Sequence, residues 1–98
     1  MQIRQSELFL QQFEEILFTI ASDKLTAALG FQEEVIKNFN SLKDFPYKSR
    51  CSQYHNDNTI RDLTVKGYTI IYRVQEDKQY IEIIEIFNRN LPLIKPQK

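Results

Sequence analysis

From Ser6 to Ala21, apolar side chains recur at Phe9, Phe13, Ile16 and Ile20, with Leu10 and Leu17 beside them. Spacings of three and four set these residues along one side of a helix, where they can face a core. Ser22 and Asp23 then interrupt the stripe, and both side chains can accept from the free N–H groups of a new helix. A second stripe runs through Leu25, Ala28, Leu29, Val35, Ile36, Phe39 and Leu42. It stops at Asp44-Phe45-Pro46, because proline cannot continue a helix. Gly30 lies inside this stripe, at a cost of about 1 kcal/mol relative to alanine, and marks either close packing or a weak point. With so short a link, the two helices are predicted to form an antiparallel hairpin.

Beyond Asn58 the period falls to two. Thr59 to Val65 reads as a strand, Lys66-Gly67 as a tight turn, and Tyr68 to Gln75 as a second strand. Alternation puts Tyr68, Ile70, Tyr72 and Val74 on one face and Thr69, Ile71, Arg73 and Gln75 on the other. After the polar turn Glu76-Asp77-Lys78, Tyr80 to Phe87 forms a third strand, rich in β-branched residues. Short loops make the three an antiparallel meander, and Ile3 with its neighbours offers a short strand at the edge. Pro46 to Asn58 reads as an exposed loop, and Pro92 and Pro96 keep the C-terminal segment from extending the sheet. The pattern therefore predicts an α+β fold of order β-α-α-β-β-β. An N-terminal antiparallel helix hairpin packs on an antiparallel sheet of three to four strands, as one domain over residues 1–98.

Composition supports this without adding a site. The 98 residues are 42% apolar and include seven Phe and five Tyr, enough for a core without a metal or disulfide. Cys51 is the sole cysteine, which suits a reducing compartment. There is no charged-then-apolar leader pattern and no apolar run near the roughly 18 residues of a membrane span, so a cytoplasmic protein without membrane contact is expected. The net charge is zero, although residues 1–42 hold three basic and six acidic residues and residues 43–98 hold ten and seven. A dedicated duplex-binding module carries a larger basic excess.

Ordinary enzyme signatures are missing. No G-x-S-x-G, Walker, G-x-G-x-x-G or C-x-x-C motif occurs, and two glycines cannot build a phosphate-cradling loop. Cys51 and His55 lie four apart, but no second Cys or His exists to complete a zinc site, so neither metal nor cofactor is expected. Glu14-Glu15 and Glu33-Glu34 splay by about 100 degrees on a helix and read as solvated faces. Arg61, Arg73 and Arg89 lie on or at the end of the three predicted strands. On a shared face they would form a cationic cluster for phosphate or carboxylate; otherwise each pairs locally with Asp62, Glu82 or Glu85.

Leu42-x-x-Phe45-Pro46, Arg61-Asp-Leu63, Gly67-Tyr68-x-Ile-Ile-Tyr72-Arg73-Val and Ile83-Ile-Glu-Ile86-Phe-x-x-Asn90-x-Pro92 together resemble the RelE/ParE toxin superfamily. The resemblance spans nearly the whole chain and is most specific from Arg61 to Pro92. It implies the toxin of a bacterial type II toxin–antitoxin, or plasmid-stabilisation, module that inhibits growth until a cognate antitoxin neutralises it. The RelE branch cuts messenger RNA on the ribosome with Lys and Arg on the sheet and a late Tyr or His. Here Thr69 stands where that branch often has Arg, Arg61-Asp62 replaces a lysine pair, and no His or Tyr follows Arg89. The nuclease set is thus incomplete, with Arg61, Arg73 and Arg89 its remaining catalytic candidates. The Arg-x-Leu, Gly-Tyr and Tyr-Arg-Val pattern is closer to the ParE branch, whose members poison DNA gyrase. A ribosome-dependent endoribonuclease and a degenerate, non-toxic binding module of the same fold are the alternatives. For contacts with antitoxin or target, exposed parts of Leu8, Phe9, Phe31, Leu91, Leu93 and Ile94 are the candidates; a homodimer is left open.

Overall fold

The computed structural model describes residues 1–88 of the chain. Its elements are β1 (Gln2–Gln5), α1 (Glu7–Asp23), α2 (Leu25–Asp44), β2 (Arg50–Cys51), β3 (Ile60–Val65), β4 (Tyr68–Gln75) and β5 (Tyr80–Asn88). The five strands form one sheet in the order β1-β5-β4-β3-β2, one strand more than the largest number predicted. The additional strand, β2, is two residues of the segment read as a loop. The meander β3-β4-β5 is antiparallel, whereas β1 runs parallel to β5, pairing Ile3 with Ile81. The cause is topological. The helix hairpin and the meander separate the two strands, and the chain returns to β1 running in its direction.

Ser6 starts α1: its Oγ accepts from the Phe9 N–H at 3.0 Å and donates to the Ile84 carbonyl at 2.8 Å. The helix N-terminus is thereby capped and tied to β5 by one hydroxyl. Ser22 and Asp23 do not break the chain as predicted. Both stay in α1, and Ser22 Oγ turns back to the Phe18 carbonyl at 2.9 Å. The break is Lys24 alone, extended at φ −156° and ψ 111°, with no side-chain cap on α2. At Gly30, its own helix backbone apart, no atom of the described residues lies within 4 Å of where a Cβ would stand. Close packing therefore does not explain this glycine.

At the predicted hairpin, Lys66 and Gly67 both have positive φ, 48° and 86°, the conformation whose twist matches the flanking strands. Leu63, Val65, Ile70, Tyr72 and Val74 point to the helices and meet Phe9, Phe31, Val35, Phe39 and Leu42. On β5 the pairing shifts between Ile71–Glu85 and Tyr72–Ile83. This bulge inserts one residue, Ile84, and resets the alternation, so Ile81, Ile83 and Ile86 all reach the core. Tyr72 is fully buried, and its hydroxyl donates to the Pro46 carbonyl at 2.7 Å. That bond fixes the chain leaving α2, and burial raises the phenol above its ordinary pKa.

The second sheet face is not simply solvent-facing: Ile60, Asp62, Thr69 and Ile71 are buried there. Part of the Pro46–Asn58 segment lies against it. The Gln53 N–H donates to Asp62 Oδ2 at 2.9 Å, and Tyr54 meets Phe87 edge-on at 5.4 Å. The loop is exposed as predicted at many side chains but anchored at these two points. Among the described residues, no helix is long and apolar enough to cross a membrane.

Candidate partner-binding site

β1 ends at Gln5, opposite Ile83, and among the described residues no strand is registered beside β5 beyond that point. Side chains of α1 bond to β5 there instead. Ser6 Oγ takes the Ile84 carbonyl, and Gln12 Oε1 accepts from the Ile86 N–H at 2.8 Å. Between α1 and this end of the sheet a groove of about 400 Å³ remains open. Gln12, Glu15, Ile16 and Thr19 form its helix wall; Tyr68 and Ile86 form its floor, and Phe87 and Asn88 complete the lining at the end of β5. Spacings of three and four explain the wall, because these residues lie on the flank beside the buried Phe9 stripe. Leu8, 48% exposed, sits one turn before Gln12 on the same flank. An apolar floor with an acidic and amide rim suits an amphipathic protein segment better than a small substrate.

The other candidates from the sequence are placed differently. Phe9 and Phe31 are 0% and 4% exposed, so they are core and not contact residues. Phe9 stacks on Phe13 at 5.2 Å, and Phe31 lies 4.9 Å from the Tyr68 ring. Stripes on two helices that converge over one sheet bury the phenylalanines between them. Arg89, Leu91, Leu93 and Ile94 lie outside the described residues.

Arg61 and Arg73 do not form a cluster. Arg61 is registered against Tyr72, and Arg73 against Ile60 and Glu82, which puts the two guanidinium groups on opposite faces. Arg61 donates through Nε to the Asn58 carbonyl and through Nη1 to the Ser49 carbonyl, both at 3.0 Å, and lies 4.7 Å above the Tyr47 ring. It ties the β2–β3 loop to the sheet. Arg73 reaches Asp57 at 3.9 Å, not a strand neighbour as the local-pairing reading expected. Hydrogen bonds from Thr59 hold the Asp57 carboxyl below its ordinary pKa. The Tyr47 phenol is raised, first by desolvation and then by the Glu76 charge. Among the described residues no group of three or more His, Cys, Asp or Glu could hold a metal.

Sequence reasoning missed Gln12, Ile16 and Thr19 as a wall. The available signal was their common flank on α1; what could not be read was that β1 stops opposite Ile83, so that Gln12 on α1 meets the backbone of β5.

The described residues form an α+β fold, a helix hairpin over one face of a five-stranded sheet, with a groove between α1 and β5. The family model for the ParE toxin of the type II toxin–antitoxin system parDE matches residues 3–90. The chain belongs to that family, within the RelE/ParE superfamily. Among solved structures it is similar to the chromosomal ParDE TA system from P. aeruginosa, with a TM-score of 0.71 and 14% identity over 90% of this chain and 95% of that one. At that identity the likeness establishes the fold. No curated protein matches the sequence.

Proposed function

We propose that this family member acts in the bacterial cytoplasm as a growth-inhibiting toxin, neutralised by a protein antitoxin and directed at DNA gyrase. The observation that carries the choice of target is the separation of Arg61 and Arg73 on opposite sheet faces. RNA cleavage needs cations converging on one phosphate, where charge develops in the transition state. Here Arg61 is committed to two loop carbonyls, and the intervening Asp62 is a buried acid. A toxin that works by binding a protein needs no such convergence. For the antitoxin, the α1–β5 groove offers the apolar floor that an amphipathic segment requires, with Leu8 extending it.

The test is a supercoiling assay with purified gyrase and micromolar toxin, run beside primer extension on ribosome-bound message. Inhibited supercoiling with intact message supports the reading. New 5′ ends in the message with unaffected gyrase would replace it with the endoribonuclease. Harmless overexpression of soluble, folded protein would point instead to a non-toxic binding module.

A further inference from the structure

The groove between α1 and β5 uses one flank of α1 and leaves the outward face of that helix free. α1 carries Glu7, Glu14, Glu15 and Asp23 and no lysine or arginine, whereas α2 mixes Glu33, Glu34 and Asp44 with Lys37 and Lys43. Helix stability does not account for this charge. Without cations α1 has no i, i+4 ion pairs, and Asp23 stands in the last turn, where the helix dipole disfavours a carboxylate. Among the described residues none of the four carboxylates enters an ion pair.

Phe18 lies on this helix at 75% exposure, the highest of the large apolar side chains among the described residues. A lone apolar side chain on a surface is ordinary; what sets Phe18 apart is its surroundings. Gln11, Glu14, Glu15, Phe18 and Thr19 line one open depression, because residues three and four apart share a helix face. Glu15 and Thr19 also belong to the wall of the α1–β5 groove. They form a ridge, with the groove on one side and Phe18 on the other.

We infer that the Phe18 face of α1 is where the toxin meets gyrase: the phenyl ring enters an apolar socket, and lysine or arginine side chains around that socket pair with Glu14 and Glu15. The inference rests on the proposal that gyrase is the target, and it specifies the surface and the chemistry of the contact. An enzyme that handles duplex DNA presents cations to the phosphates, and an acidic face without cations is the complement of such a surface. An aromatic ring at the centre, inside a charged rim, is how a few side chains come to carry most of a protein contact. A second copy of this chain is the poorer occupant, because pairing like faces sets Glu14 and Glu15 against their own equivalents. The antitoxin segment proposed for the α1–β5 groove lies across the ridge, so the two partners have separate anchors on one helix.

The test uses the full chain, purified gyrase, and the protein encoded by the reading frame adjacent to the toxin gene. Glu14 and Phe18 line the outer depression and not the groove, so their variants separate the two partners. Phe18→Ala and Glu14→Lys should each raise the toxin concentration for half-maximal inhibition of supercoiling about tenfold or more. Both should bind the neighbouring protein like wild type. Direct binding to gyrase should weaken with added salt for the wild type, and less steeply for Glu14→Lys. Thermal melting checks that the variants fold, and Glu14→Gln removes the charge alone should its reversal disturb the helix. If wild-type toxin inhibits gyrase and both variants match it, or if they lose the neighbouring protein and not gyrase, the face assignment is overturned and the gyrase proposal stands. If wild-type toxin leaves gyrase unaffected, the gyrase proposal itself fails, and the inference with it.

Discussion

The two faces of the sheet are built on opposite terms. Toward the helices, Ile70, Tyr72, Ile81 and Ile83 are at 0% exposure and meet aromatic rings from both helices. On the other face, buried positions include Asp62 and Thr69, and the covering is partly a loop held by a backbone-to-carboxylate bond. The first face obtains its stability from area removed from water, which is non-directional and tolerant of detail. The second depends on particular polar contacts, and one is incomplete: Asp62 Oδ1 is buried with no hydrogen-bond partner among the described residues. A fold can be anchored by one face while the other stays specialised and less stable.

Substitutions can break or sharpen this contrast. The largest effect should come from Phe9→Ala, which empties the junction of α1, α2 and β5 and should cost about 3–5 kcal/mol in urea unfolding. On the second face, Asp62→Ala should cost about 1–3 kcal/mol by stranding the Gln53 N–H. Faster amide exchange at Gln53 would accompany it, whereas Asp62→Asn, which keeps an acceptor and removes a buried charge, should lose much less. An Asp62→Ala variant as stable as wild type would mean the loop is held by something other than this carboxylate. Gly30→Ala has the opposite sign. With open space around it, alanine should stabilise by up to about 1 kcal/mol, seen as a higher melting temperature. Arg73→Ala should be smallest, within about 0.5 kcal/mol, because the pair with Asp57 is long and its side chains are 39% and 42% exposed.

Much of the first face was legible in the sequence. Two helical stripes, the Lys66-Gly67 turn and strict alternation along Tyr68–Val74 each report local geometry, and all three recur in the fold, except that Leu25, Leu29 and Ile36 of the second stripe stay exposed. The second face was not legible, for a physical reason. That Asp62 meets Gln53, or that Arg73 meets Asp57, depends on loop placement, which no periodicity encodes. The inserted Ile84 was equally hidden, since Ile83-Ile84-Glu85-Ile86 reads as a strand with or without a bulge. Of the site, the exposure of Leu8 could be anticipated, but Phe9 beside it could not be separated as core. A stripe gives the direction of a helix face, and only the packing partner decides which of its members remain uncovered.

The parallel pairing of β1 with β5 also bears on how the molecule comes into being. Its bonds close very long loops, as the Ser6–Ile84 contact across 78 residues illustrates. Closing such loops is entropically costly and slow compared with forming the helix hairpin or the β3–β4 turn. During synthesis the hairpin can form early, but β1 has no strand to join until Ile83 has left the ribosome. Until then the groove beneath α1 lacks its floor, which makes it one of the last features of the molecule to form.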